Sequence, residues 1–241
     1  MKKTLLVILI IGLAFGTLFA AGTKEEAKAQ KEIVILVKNM GNGFFDAVFK
    51  GSEEAAAELG GIKTVYMGPS QPTAEGQIEI IESLIARRVD GIAISANDAD
   101  ALIPVAKKAM AAGIKVISFD SGINVGGRIV DLLPSNAELI GRQQIQLAAE
   151  LANSAGDVAV LSASAQATNQ NLWIDWMKEE IKDPKYSKMK LVEVVYGDDL
   201  PDKSYREAVA LMKKYPNLKA IICPTTVGLL ATAQAVKDEG K

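Results

Sequence analysis

The sequence predicts an α/β fold of doubly wound parallel sheets arranged in two lobes. Three observations carry this. Short β-branched runs alternate with stretches of helical periodicity from residue 31 onward. The runs "IVILV", "GIAIS" and "KVISF" are apolar at nearly every position, as strands buried on both faces of a parallel sheet require. The same alternation restarts after Asn136.

Taken in order, "EIVILV" is the first strand, and a helix follows over about residues 44–59, ending at Gly60-Gly61. "KTVYMG" is the next strand and about 73–87 the next helix. "DGIAISA" is a strand, with Asn97 and Asp98 placed to cap the helix at about 99–112 and Gly113 to close it. "IKVISFD" and "RIVDLL" are the fourth and fifth strands, the latter ending near Pro134. The second series has helices at about 137–152, 168–181, 202–214 and 227–239, separated by the strands "DVAVLSA", "KLVEVVYG" and "LKAIICP". The lobes are expected at 32–134 and 135–241, a single continuous sheet being the alternative. The second lobe looks unfinished: it has three strands, and the chain stops after a helix capped by Gly240. The expectation is a piece lacking its C-terminal part, which alone binds ligand weakly or not at all.

The N-terminus reads differently. Lys2 and Lys3 precede "LLVILIIGLAFGTLFA", and small residues follow at Ala20, Ala21 and Gly22. That order is an export signal over residues 1–21 with an unresolved cut site. A membrane anchor is the competing reading, although the run falls short of the ~20 apolar residues of a spanning helix. Residues 22–31 read as a disordered, charged lead-in. Export places the mature chain in the periplasm. Removing Lys2 and Lys3, with no acid lost, takes the net charge from −2 to −4. That balance offers nothing to nucleic acid.

Composition excludes much chemistry. The chain has no histidine, which removes Ser-His-Asp triads, Cys-His pairs and histidine metal sites. Its one cysteine, Cys223, cannot form an internal disulfide and reads as a small buried hydrophobe. No carboxylate pair stands out. No cofactor, metal or catalytic residue is expected, and an exported enzyme is the weakest of the readings.

In open parallel sheets, ligands bind beyond the carboxyl ends of the strands. The residues there are Lys38-Asn39 running into Asn42-Gly43-Phe44-Phe45, then Met67-Gly68-Pro69, Asn97-Asp98 and Asp120-Ser121. The second series adds Ser162 to Gln170, Gly197 to Asp199, and Pro224-Thr225-Thr226. Gly41-Asn42-Gly43 imitates the start of a dinucleotide loop, but Asp46 stands where that pattern needs a small residue, and its charge would repel a pyrophosphate. No GxxxxGK[ST] loop occurs. Amides, carboxylates and hydroxyls beside aromatic rings suit a neutral polyol or sugar instead. Phe44 and Phe45 point about 100° apart on a helix, so both cannot be core. Trp173 is a further apolar face, although its spacing from Trp176 suits packing equally.

The segments "VKNMGNGFFDAVFKG", "DGIAISANDADALIPVAKKAMAAGIKVISFDS", "ATNQNLWIDWMKEE" and "YPNLKAIICPTT" resemble periplasmic sugar-binding proteins of ABC importers. The similarity is closest to the rhamnose-binding receptors and the related autoinducer-2 receptors, and runs from about Ile33 to the end of the chain. The resemblance implies two Rossmann-like lobes of the type I periplasmic binding protein fold, closing on a ligand. It implies ligand contacts at Lys38, Asp120, Asn169, Gln170, Pro224 and Thr226, with Asn42, Phe44 and Phe45 matching the wider pentose-binding group. Asn169 stands where the autoinducer-2 branch has aspartate, and Thr226 where it has alanine. Both departures follow the rhamnose pattern and favour a deoxyhexose. The implied partners are a sugar, an ABC membrane permease and, in the signalling reading, a chemoreceptor. Repressors share this fold, but the export signal and the lack of a preceding helix-turn-helix argue against one.

Overall fold

The computed structural model describes residues 30–241. The export signal and all of the lead-in except Gln30 and Lys31 lie outside the described residues. Lys31 already belongs to a strand, so the fold begins one residue earlier than expected.

The first sheet is built from β1 (Lys31–Leu36), α1 (Gly43–Leu59), β2 (Ile62–Met67), α2 (Ala74–Arg87), β3 (Gly91–Ile94), α3 (Ile103–Ala111), β4 (Lys115–Phe119) and β5 (Asp131–Leu132). Its strands are all parallel, in the order β2-β1-β3-β4-β5. Successive residues of β1 serve opposite faces, as the two-residue repeat of a strand dictates. Val34 and Leu36 join Ile81, Leu84, Leu102 and Ala106 from the α2–α3 side. Ile35 and Val37 join Phe45 and Phe119 on the α1 side. Both faces are therefore dry, which is why these strands carry unbroken apolar runs.

The second sheet follows α4 (Ala137–Leu151). It contains β6 (Ala155–Ser162), α5 (Thr168–Glu180), a 3₁₀ turn at Pro184–Tyr186, β7 (Lys188–Tyr196), α6 (Pro201–Lys214), β8 (Leu218–Ile222) and α7 (Thr226–Asp238). The order is β7-β6-β8, again parallel. Val158 and Val160 pack on Ile145, Ile174 and Met177 from α4 and α5. Leu161 packs on Ala208, Met212 and Ala235 from α6 and α7. The strands thus form two sheets, and the alternative of one continuous sheet falls away. Among the described residues no helix is long and apolar enough to cross a membrane.

Several elements differ in detail from the sequence reading. The fifth strand is only two residues long, although the backbone bonds to β4 begin earlier: the Ile129 N–H donates to the Val116 carbonyl (2.8 Å) and the Ser118 N–H to that of Val130 (3.0 Å). α3 starts at Ile103 rather than near Ala99, since residues 99–102 form a turn and Pro104 opens the helix. Asp98 closes that turn, accepting from the backbone N–H of Asp100 and Ala101, rather than capping the helix. α3 ends at the cap Ala112, and Gly113 follows with φ +93°.

Candidate functional site

Residues that follow β1, β4, β7 and β8 meet those at the start of α5 around one cavity. All nine residues singled out in the sequence line it: Lys38, Asn42, Phe44, Phe45, Asp120, Asn169, Gln170, Pro224 and Thr226. Trp173, Asp199 and Thr225 complete the wall.

Lys38 follows β1 directly. Its position is fixed from below by two buried amides. Gln77 donates to the carbonyls of Val37 (3.0 Å) and Ser95 (2.8 Å) and accepts from the N–H of Asn97 (2.8 Å). Asn97 in turn donates to the carbonyls of Lys38 (2.8 Å) and Thr73 (3.1 Å). Asn97 is therefore a brace between strand tips, not a helix cap. The Lys38 side chain is only 4% exposed, yet its ammonium has no hydrogen bond or ion pair among the described residues. Burial pulls its pKa below the ordinary lysine value, and the nearby charges of Asp120 and Asp199 pull the other way.

Asn42 caps α1 by accepting from the Phe44 N–H at 3.1 Å, which leaves its amide NH₂ toward the cavity. Phe45 is buried against Phe119, while Phe44, edge-on to Phe45 with centroids 5.2 Å apart, is exposed to the cavity. One ring is core and its neighbour is a wall, as the 100° offset requires. Asp46 does not line the cavity; its carboxylate takes the hydroxyl of Tyr66 at 3.0 Å.

Asp120 ends β4 in the left-handed region, φ +57°, which aspartate tolerates better than most residues. Ser95 donates to one of its oxygens (2.8 Å) and Asn169 to the other (2.7 Å). The Asn169 bond crosses from the second sheet to the first. Beside it the hydroxyls of Ser121 and Thr168 lie 3.1 Å apart, and Thr168 reaches the carbonyl of Gly122 at 3.3 Å. Gln170 spends its acceptor on Ser162 (2.7 Å) and the N–H of Ala163 (2.9 Å), so it offers donors to the cavity.

The arrangement can hold a molecule with several hydroxyls and at least one apolar face. It has an ammonium, amide donors, two carboxylates and aromatic rings. It has no nucleophile–base pair, and among the described residues no cluster of His, Cys, Asp or Glu could hold a metal ion.

Residues 33–241 match the family described as the periplasmic binding protein domain. The chain belongs to that family. A solved ABC transporter solute-binding protein from Clostridium phytofermentas with bound L-rhamnose is 40% identical, with a TM-score of 0.84 over 88% of this chain and 65% of that one. The D-allose-binding periplasmic protein of Escherichia coli is 25% identical over 94% of this chain and 74% of its own length. LsrB from Clostridium saccharobutylicum in complex with AI-2 shares the fold, with a TM-score of 0.82 at 23% identity. The chain spans about two thirds of the length of the rhamnose-bound relative. These relatives are binding proteins rather than enzymes, and the type I periplasmic binding protein fold accounts for the two parallel sheets.

Within this periplasmic binding protein domain, the sequence reading left two kinds of residue out of the site. Asp199 and Thr225 were visible as strand-end residues but were not singled out. Gln77 and Asn97 act from beneath the cavity, and no local pattern marks a first-turn glutamine as a brace. Trp173 serves both readings at once: it lines the cavity and packs on the α4–α5 core.

Proposed function

We propose that this chain is an exported solute-binding protein that captures a neutral monosaccharide of the rhamnose type and hands it to an ABC permease. Residues 32–134 and 135–241 act as two lobes that close on the sugar by a hinge motion, with contacts from both favouring the closed state. The observation that carries the reading is the buried, unpartnered ammonium of Lys38 facing a cavity walled by Asp120, Asn169, Gln170 and Phe44. A buried charge without a partner is costly, and a sugar oxygen is the acceptor it lacks. Asp120 and the two amides hold hydroxyls, while Phe44 and Trp173 cover C–H faces. The 40% identity to the rhamnose-bound protein supports a deoxyhexose, whose methyl group suits these rings.

Autoinducer-2 is the second reading, because Lys38 and Asp120 stand together in the cavity as that branch of the family would require. Asn169, neutral and already donating to Asp120, weighs against it. Calorimetric titration of the full-length protein with L-rhamnose, D-allose and autoinducer-2 separates the two. Tightest binding of L-rhamnose is expected. Binding of autoinducer-2 alone would replace the first reading with the second, and binding of no neutral sugar would overturn it.

A further inference from the structure

The cavity holds two carboxylates, and they are not equivalent. Asp120 has a protein donor on each oxygen, Ser95 on one and Asn169 on the other. Asp199 has only one such partner: the Thr225 hydroxyl donates to its Oδ1. Its Oδ2 has no hydrogen-bond partner among the described residues, although the side chain is only 6% exposed and lines the cavity.

The backbone has been arranged to put it there. Asp198 and Asp199 both adopt the left-handed conformation, with φ +52° and +51°. Two such residues in succession turn consecutive side chains apart. Asp198 goes outward to the ammonium of Lys203, and Asp199 goes inward. Thr225 is the cap of α7, where its oxygen also accepts from the Gly228 N–H. The first turn of α7 and the tip of β7 are thus tied through one hydroxyl, which fixes the Asp199 carboxylate before any ligand arrives.

We propose that Asp199 is a specificity-determining ligand contact, its free oxygen accepting a sugar hydroxyl that the site requires. The assignment rests on the reading of this cavity as a neutral-sugar site. A largely buried carboxylate with one free oxygen selects a ligand that brings a donor to that point. An analogue without that hydroxyl leaves the oxygen unpaired, and this penalty is the larger part of the discrimination.

The test is a cycle between protein and ligand. The full-length protein and its Asp199→Asn variant are titrated calorimetrically with L-rhamnose and with its monodeoxy analogues, one for each ring hydroxyl. Wild type is expected to bind L-rhamnose, and Asp199→Asn to bind it about ten- to a hundredfold more weakly, the range for a lost charge-assisted bond. For one analogue the substitution should make little further difference, which identifies the hydroxyl that Asp199 holds. A variant that merely disturbed the fold would lose the same factor against every analogue, and that result would overturn the proposal. So would unchanged affinity for L-rhamnose. If Asp199→Asn does not fold, Asp199→Glu carries the same test, since it keeps the charge but displaces it by one methylene. Failure of wild type to bind L-rhamnose removes the sugar reading itself and the assignment with it, an outcome distinct from a wild type that binds while the variant is unaffected.

Discussion

Two buried charged residues in this molecule live in opposite circumstances. Glu180, at the end of α5, accepts from Arg142 (3.0 Å), Gln146 (3.1 Å), Lys185 (3.1 Å) and Tyr186 (2.9 Å). Lys38, at the end of β1, is as well buried and has none. Burial would raise the Glu180 pKa, but the four donors overcome it and hold the carboxyl at about 2. Burial lowers the pKa of Lys38, and the two cavity aspartates oppose it only through space. Around Glu180 the protein has completed its own hydrogen bonding, and the group ties α4, α5 and the 3₁₀ turn together. Around Lys38 it has left the bonding open, at a cost in stability that a ligand can offset. The contrast separates a region built for stability from one built for binding, and each side of it can be attacked.

The largest effect is expected at Asp120. Asp120→Asn suits the left-handed backbone, where alanine would add strain. It should weaken sugar binding ten- to a hundredfold, about 1.5–3 kcal/mol for a lost charge-assisted bond, as read by calorimetry. Unchanged affinity would take Asp120 out of the site. On the stable side, Gly141 lets α4 and α5 approach closely: an added Cβ would meet the Trp173 carbonyl and the Trp176 Cβ. Gly141→Ala must force that seam apart, at a cost of about 1–3 kcal/mol visible as a lower melting temperature. An unshifted melt would show that the two helices tolerate separation.

Glu180 gives a pH signature. Its folded pKa of about 2 lies below the ordinary 4.5. Its contribution is therefore present above pH 4.5 and is lost as pH falls from there toward 2. Wild type should melt higher than Glu180→Gln at neutral pH, and the gap should close on acidification. A gap that stayed constant would mean that the network acts through packing alone. The smallest effect belongs to Thr168, which reaches Ser121 and Gly122 across the two sheets without lining the cavity. Thr168→Val should cost about 0.5–1.5 kcal/mol of affinity, a few-fold, without changing the order of sugar preference. A changed order would place Thr168 in contact with the ligand.

The strand–helix alternation was legible because strands covered on both faces leave unbroken apolar runs, and "IVILV" and "KVISF" can hardly read otherwise. The nine site residues were legible for a topological reason: in parallel sheets every strand ends on the same side, so residues after strands converge. What escaped depended on strand order and long-range pairing. Asp199 becomes a wall residue only because β6 lies between β7 and β8, bringing Thr225 to it across 26 residues of chain. Gln77 braces the tips of β1 and β3 from the first turn of α2, where its sequence neighbours look like any amphipathic helix.

The account turns on Lys38 being held ready for an uncharged, hydroxyl-bearing guest. Lys38→Met keeps the length of the side chain and removes the charge. Calorimetry with L-rhamnose, paired with a thermal melt without it, should show binding weakened about tenfold and the melting temperature equal or higher, because a buried unpaired ammonium has gone. A variant that binds the sugar as tightly as wild type, or one that melts well below it, would contradict the account.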